Sequence, residues 1–307
     1  MVLRYTVPES GAGRKVYSVL RREFLASAAL VRRLKQCGAV CVDGEPAYTI
    51  RTLFPGETVT ADISAAEPPC DIVPEKGALD ILVEDEGLIA VNKPPGIIVH
   101  PSRSRFTGTE ANFIVGHLLE NGEAPVCHAI NRIDRDTSGV ILYSKNSHMK
   151  AVVSPALHEP GAVKEYIALV CGAPPEKAGR IDLPIKRLTE GDMFRAVAPD
   201  GQPAVTDYEL LDTSDIGVSL VRFRLHTGRT HQIRVHCLAL GMPILGDRLY
   251  KTAASESLSQ ELGLDAQLLH ACTLSFHEPL SGRDLTLRAP VTREDMKKII
   301  EKLSFRY

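Results

Sequence analysis

Two arginines and two carboxylates crowd into Arg132-Ile133-Asp134-Arg135-Asp136. A carboxylate flanked by guanidinium groups, as Asp134 is by Arg132 and Arg135, is what a site uses to keep an acid ionised beside an anionic ligand. The same charges on a solvated loop would simply pair with one another, and this stretch alone leaves both possibilities open. Thr137-Ser138-Gly139 follows with turn chemistry, two hydroxyls and a glycine free to take positive φ. Val140-Ile141-Leu142-Tyr143 then reads as a short buried strand. The chain thus lays a charged loop against the start of a strand.

Other residues could join it. Residues 230–240 are expected to be helical, with Ile233, Cys237 and Leu240 on one face, Thr230 as cap and Gly241 as terminator. Arg234 sits one turn into that helix beside core-facing neighbours. A buried guanidinium needs a carboxylate partner, and Asp134 is a candidate. Tyr166 lies on a strand expected over residues 164–172, where Tyr166, Ala168 and Val170 share one face and Ile167, Leu169 and Cys171 the other; it reads equally as an ordinary strand tyrosine. His226, His231 and His236 invite a zinc assignment. His231 and His236 are five apart, however, which puts them on different helix faces, and only Cys237 stands in register as a further ligand. The string Asp134-Arg135-Asp136-Thr137 also differs from that of aspartyl-phosphate enzymes: its threonine comes one position early and no apolar strand precedes it.

The elements that must position these groups fit a 307-residue chain, long enough for two domains. No apolar run approaches the roughly eighteen residues of a membrane span. The N-terminal residues lack a signal-peptide h-region, and seven scattered cysteines argue against a disulfide framework. A cytoplasmic protein with no membrane partner is expected. The net charge of −2 is unevenly spread: residues 1–65 hold nine Lys/Arg against six acids, leaving −5 for the rest. A basic module on an acidic body points to a polyanionic partner.

Within residues 1–65, Val16, Val19, Leu20 and Phe24 fall at helical spacing. Ser27 caps a second helix carrying Leu30, Val31 and Leu34, which ends at Gly38. Val40-Cys41-Val42 runs into the turn Asp43-Gly44. Arg32, Arg33 and Lys35 lie on the second helix as candidate RNA-binding residues, or as a plain solvated face. Residues 66–79 are a stiff, proline-rich linker. From residue 80 to 307 strands predominate, giving an α+β domain on a mixed, largely antiparallel sheet. Expected elements include strands near 81–93, 205–211, 218–226 and 285–289 and a helix over 110–120; residues 151–157 are ambiguous.

The N-terminal order, with Gly38-Ala-Val-Cys-Val-Asp-Gly44 and Pro55-Gly-Glu-Thr-Val59, resembles the S-four-like RNA-binding domain over about residues 12–62. Over residues 80–290 the chain resembles the pseudouridine synthases of the RluA/RluD type, with motifs in family order. These are Asp85 to Pro101, Asn131-Arg-Ile-Asp-Arg-Asp-Thr-Ser-Gly139, Lys164-Glu-Tyr-Ile-Ala-Leu-Val170, Gly201 to Tyr208, Thr227 to His236, Gly241 to Asp247 and Leu269-His-Ala271. The resemblance implies that Asp134 is the catalytic nucleophile, attacking uridine so that the base detaches, rotates and rejoins the ribose through carbon. It implies that Arg234 pairs with Asp134, that Tyr166 stacks on the flipped uracil, and that Arg132 fills the gap the nucleotide leaves. No cofactor or metal is expected. Asn131 departs from the usual His, Ile133 from Leu, Lys186 from Gly and Glu278 from His; the last two put substrate placement in question.

Two other functions remain. A non-catalytic RNA-binding protein of the same fold would not depend on Asp134, and a metal-dependent hydrolase on the three histidines would respond to a chelator. Large-subunit ribosomal RNA is the expected substrate, with transfer RNA as the alternative, and a monomer is the plain expectation.

Overall fold

The computed structural model describes residues 1–102, 105–189 and 193–305. Its first elements are β1 (Val2–Thr6), α1 (Val16–Arg22), α2 (Ala28–Gln36), β2 (Val40–Val42), β3 (Glu45–Pro46) and β4 (Thr58–Asp62). The strands form an antiparallel sheet ordered β1-β4-β2-β3. Ser27 caps α2 by accepting from the Leu30 amide at 3.1 Å, and Gly38 ends it in left-handed backbone. Asp43 and Gly44, both at positive φ, turn β2 into β3. Val16, Val19, Leu20, Leu34 and Val59 belong to a buried cluster made by this segment alone. Strand β1 left no pattern to read in the sequence, because none of its side chains is fully buried.

Residues 67–80 have no regular secondary structure, yet they are strapped down. The Glu67 carboxylate accepts from the Ser147 amide at 2.9 and 3.0 Å and from its hydroxyl at 2.8 Å. Asn112 Nδ2 donates to the Val73 carbonyl at 2.8 Å. A Cβ at Gly116 would come within 2.1 Å of the Glu75 carbonyl oxygen, so the strap lies directly on the helix carrying Gly116.

The remainder comprises β5 (Ile81–Glu84), β6 (Leu88–Lys93), α3 (Glu110–Glu120), β7 (His128–Ala129), β8 (Ser138–Ser144), α4 (Ser147–Ala156), β9 (Val163–Cys171), β10 (Ala178–Asp182), β11 (Ile185–Arg187), β12 (Arg195–Val197), β13 (Val205–Thr213), β14 (Val218–Leu225), α5 (Gln232–Ala239), α6 (Ala253–Glu261), β15 (Leu269–Glu278), β16 (Arg283–Arg288) and α7 (Glu294–Lys302). Among the described residues ten strands form one sheet, ordered β10-β13-β14-β9-β15-β8-β6-β5, with β16 beside β15 and β7 beside β8. This is the expected mixed, largely antiparallel α+β architecture. Residues 151–157, ambiguous in sequence, lie largely in α4. The two faces of β9 enter different clusters, Ala168 and Val170 in one and Ile167 and Leu169 in the other, with Tyr166 packed against the first.

The parallel pairing in this sheet is short: His270 beside Ser138 and Ala271 beside Gly139. Gly139 has φ 114°, and a Cβ there would lie 2.2 Å from the Ala271 carbonyl oxygen, so a side chain would force the strands apart. The buried His270 bridges the seam, its Nδ1 2.9 Å from Ser138 Oγ and its Nε2 2.9 Å from the Ala289 carbonyl. The charged loop 130–137 enters the sheet at this seam.

Beneath the loop lies a buried ionisable pair. Lys93 Nζ donates to the carbonyls of Pro94 and Arg135, each at 2.8 Å. Burial pulls its pKa down to about 8. Glu110 is 1% exposed, and among the described residues neither of its carboxyl oxygens has a hydrogen-bond partner. Burial pushes its pKa up to about 7, against the attraction of Lys93. A carboxyl that holds its proton more tightly when folded loses stability as pH rises from about 4.5 to about 7. Glu110→Gln is therefore expected to match the native stability near pH 5 and exceed it near pH 8, with a higher Tm there, by at most about 3 kcal/mol less the lost attraction to Lys93. Thermal denaturation at both pH values checks this; the same Tm difference at each would show that Glu110 does not titrate in this way.

Candidate active site

The loop that carries Asp134 is fixed from several sides. Asn131 clamps it to β8, its Oδ1 accepting from the Leu142 amide at 2.7 Å and its Nδ2 donating to the Val140 carbonyl at 3.2 Å. The Arg135 carbonyl accepts from Lys93 and also from the Gly96 amide at 2.9 Å. The Asp136 carbonyl accepts from Arg293 Nη1 at 3.1 Å, and the Thr137 amide donates back to the Asp134 carbonyl at 3.2 Å. With its backbone held this way, the Asp134 side chain projects into a cleft of about 810 Å³ that Arg132, Tyr166, His231 and Arg234 also line.

The arginine on Asp134 is not one of its sequence neighbours. Arg135 turns to Asp136, which it grips at 2.9 and 2.8 Å, and Arg132 is exposed on the cleft wall. The turn at residues 135–136 folds Arg135 onto its neighbour, one of the two outcomes the sequence left open. Arg234 Nη1 donates to Asp134 Oδ2 at 2.8 Å. Its remaining edge, Nε and Nη2, holds both oxygens of Asp247 at 2.7 and 2.8 Å, and its guanidinium carbon lies 4.9 Å from the Tyr250 ring centroid. Asp247 has no exposed side-chain area and also accepts from the amides of Leu249 and Tyr250. Burial would lower the Arg234 pKa, but the two carboxylates, Asp247 above all, outweigh it and leave the guanidinium firmly charged.

Tyr166, on β9, is held protonated by burial and secondarily by the negative Asp134. The helix that presents Arg234 begins later than its periodicity suggests. Helix α5 starts at Gln232, and its N-cap is His231 in left-handed backbone, not Thr230; Gln232 instead caps inward, accepting from Thr227 Oγ1 at 2.8 Å and from the Arg229 amide at 2.9 Å.

The three histidines have separate partners. His226 pairs with Asp207 at 2.6 Å, His231 Nδ1 lies 2.8 Å from Tyr250 Oη, and His236 contacts Thr206 Oγ1 and the Leu183 carbonyl at 2.9 and 3.0 Å. Among the described residues no three His, Cys, Asp or Glu side chains converge to hold a metal.

Of the basic residues on α2, Arg32 and Lys35 are exposed. Arg33 is half-buried, donating to the Ala66 carbonyl at 2.9 Å and to Ser147 Oγ at 3.4 Å, a junction contact. The departures from the family pattern also find local partners. Lys186 pairs with Asp200 at 2.6 Å, and Glu278 accepts from the amides of Leu280 and Ser281 in the turn between β15 and β16.

Asp247, Tyr250 and Lys93 were not singled out from sequence, and His231 was weighed there only as a metal ligand. The signal for Asp247 was available: a buried guanidinium offers donors on two edges, and one carboxylate satisfies only one.

A cleft with a carboxylate braced by a buried arginine, set at the seam of a mixed sheet, defines an enzyme-like site. Residues 87–239 match the family model described as RNA pseudouridylate synthase. The chain is 35% identical over 306 residues to the ribosomal large subunit pseudouridine synthase D of Xanthomonas campestris, covering 97% of this chain and 91% of that protein. It is 33% identical over 298 residues to the Bacillus subtilis RNA pseudouridine synthase YhcT, covering 97% and 96%. The solved structure of human RNA pseudouridylate synthase domain containing 4 superposes with a TM-score of 0.60 at 26% identity, over 74% of this chain and 94% of that one. The chain belongs to the RNA pseudouridine synthase family, as an isomerase acting on RNA.

Asp247 is the part of this brace that does not itself line the cleft. Asp247→Asn removes the charge that balances Arg234 in the interior. Breaking a buried pair from one side costs about 3–5 kcal/mol, so a Tm drop of several degrees and a lower turnover are expected together. Denaturant unfolding and an activity assay on the same preparation check this; unchanged stability would mean that Asp134 alone suffices to hold Arg234.

Proposed function

We propose that this synthase converts uridine to pseudouridine in large-subunit ribosomal RNA, with Asp134 as the nucleophile. The observation that carries this is the Arg234 bridge: a charged guanidinium, anchored by Asp247, holds the Asp134 carboxylate at 2.8 Å in the cleft. Such a partner orients one carboxylate oxygen and leaves the other directed into the cleft as the attacking atom. Attack of the Asp134 carboxylate on ribose C1′ breaks the bond to N1 and frees the base, which rotates and bonds to C1′ through C5 as the carboxylate leaves; the C5 hydrogen departs as a proton and N1 gains one, so the reaction is an isomerisation. Shielding from water protects the detached base from being lost. No cofactor or metal enters this sequence of steps.

Tyr166 serves as the surface on which the flipped uracil stacks, and its raised pKa keeps it a neutral hydrogen-bonding ring. Arg132, exposed on the cleft wall, fills the gap in the RNA left by the extruded nucleotide. Flipping costs a few kcal/mol, offset by such contacts and by attraction of the phosphates. Residues 1–65 act as an S-four-like RNA-binding domain, 66–79 as the strap and 80–307 as the catalytic domain. Ribosomal RNA is favoured by the named Xanthomonas relative, and a cytoplasmic setting follows from that substrate. One chain carries the whole cleft, so a monomer suffices.

The decisive experiment is tritium release from RNA labelled at uridine C5, using ribosomal and transfer RNA from cells lacking the protein. The native protein is expected to release tritium from ribosomal RNA, and Asp134→Asn to release none while still binding RNA. Release from transfer RNA alone would redirect the substrate, and equal release by both proteins would remove Asp134 from the mechanism.

The basic helix gives a separate expectation. Replacing Arg32 and Lys35 together with Ala should weaken RNA binding and reduce the magnitude of the salt slope by about two. Arg33→Ala should act mainly on Tm through the junction it braces. Filter binding across a salt series, with melting curves, separates the two; no change in slope for the double variant would place the RNA contact elsewhere.

A further inference from the structure

His231 lies beside Asp134 and has no part in the chemistry proposed above. Its backbone is left-handed, with φ 61°, an arrangement that costs a non-glycine residue about 1–2 kcal/mol. It stands at the N-terminal boundary of α5, yet its side chain caps nothing. What the strained position achieves is placement of the ring. The side chain is only 9% exposed, stands edge-on to Tyr250, and has Nε2 3.8 Å from Asp134 Oδ2.

The hydrogen bonds around Tyr250 fix where the imidazole carries its hydrogen. The Arg195 backbone amide donates to Tyr250 Oη at 2.9 Å, so that oxygen already serves as an acceptor. Its own proton finds His231 Nδ1 at 2.8 Å. Burial raises the Tyr250 pKa and lowers that of His231, which keeps the hydroxyl protonated and the ring neutral. Nδ1 is then the acceptor, and Nε2 holds the single ring hydrogen. That donor lines the cleft. At 3.8 Å it is too far from Asp134 to bond it, and Arg234 already occupies the facing oxygen. Among the described residues Nε2 has no hydrogen-bond acceptor.

We propose that His231 is a catalytic residue whose Nε2–H donates a hydrogen bond to a carbonyl oxygen of the flipped uracil, holding the ring while it is detached from the ribose. This deepens the reaction proposed above and rests on it. When the bond from N1 to the ribose breaks, its electron pair stays on the ring and spreads onto the carbonyl oxygens, which become stronger acceptors. A neutral, preoriented donor gains most at that moment, so it acts on the barrier more than on substrate binding. No proton passes to or from His231 in the cycle. Its closeness to Asp134 gives it reach, since a ring detached from a ribose held at that carboxylate lies within hydrogen-bonding range of Nε2.

Single-turnover tritium release from C5-labelled ribosomal RNA, with the Kd for that RNA measured in parallel, tests this on the full chain. His231→Asn keeps a residue type that tolerates left-handed backbone but ends at the position of Nδ1. His231→Gln can return an amide N–H to the position of Nε2. The Asn variant is expected to lose about 100-fold in rate with Kd within about twofold of native, and the Gln variant to recover about tenfold of that loss. Tyr250→Phe deletes the proton that makes Nδ1 an acceptor, and is expected to slow the rate without weakening binding. A native rate for His231→Asn, an equal loss in the Gln and Asn variants, or a loss matched by weaker binding would overturn the proposal. A native rate for Tyr250→Phe would overturn the tautomer assignment it depends on. If His231→Asn fails to fold, as its melting curve would reveal, the Gln and Phe variants carry the test. Asp134→Asn runs alongside as a control: an active control, or a native protein silent on both ribosomal and transfer RNA, sinks the parent reaction, whereas a dead control with a fully active His231→Asn sinks only the role of the histidine.

Discussion

Arg234 sits between two carboxylates in a place where water cannot help it, with Asp247 on one edge of the guanidinium and Asp134 on the other. The inner pair is closed and bidentate, while the outer contact is a single bond at the cleft. This asymmetry gives the arrangement its use. The buried carboxylate neutralises the arginine and fixes its plane, and the outer nitrogen then holds a second carboxylate that keeps one oxygen without a hydrogen bond among the described residues. A lone Asp134–Arg234 pair would compensate its charge, but its geometry would be set only by the flexible arginine chain.

The rest of the structure keeps the two ends of that bridge in register. One end rides on α5, packed through Ile233 and Cys237 against the sheet. The other rides on a loop whose backbone carbonyls are claimed by cations from distant parts of the chain, Lys93 from β6 and Arg293 ahead of α7. Because these cations take carbonyl oxygens and not side chains, the Asp134 carboxylate is left to Arg234, and Asp134 and Arg132 both line the cleft. The seam at Gly139 and Ala271 sets where the loop must end, because no bulkier residue fits at that crossing.

Much of the fold was legible because its strands obey simple patterns. The alternation along β9 divides its side chains between two clusters as period two requires, and the cap and terminator of α2 stand at the residues whose chemistry demands them. The pairing of Arg234 with Asp134 could be raised as a candidate, since a guanidinium among core residues needs an acid. What escaped were features decided by direction in space. Arg135 neighbours Asp134 in sequence but turns to Asp136, and Arg33 lies on the basic face of α2 but braces Ser147. The left-handed backbone at His231, and with it the late start of α5, comes from tertiary contacts that no local pattern records. The three histidines were close in sequence only, and their partners come from different strands and loops.

The anchoring of the Asp134 loop by Arg293 has a consequence for synthesis of the protein. Arg293 also bonds the carbonyls of Ala266 and Gln267, so it ties the loop to the segment entering β15. A growing chain therefore makes its basic segment 1–65 well before its cleft, whose loop is fully held only once Arg293 has emerged from the ribosome. A polypeptide still tethered there, surrounded by ribosomal RNA, lacks the last cation that holds its reactive loop in place. Chain order thus acts as a timer, delaying assembly of the site until the segment ahead of α7 has been made.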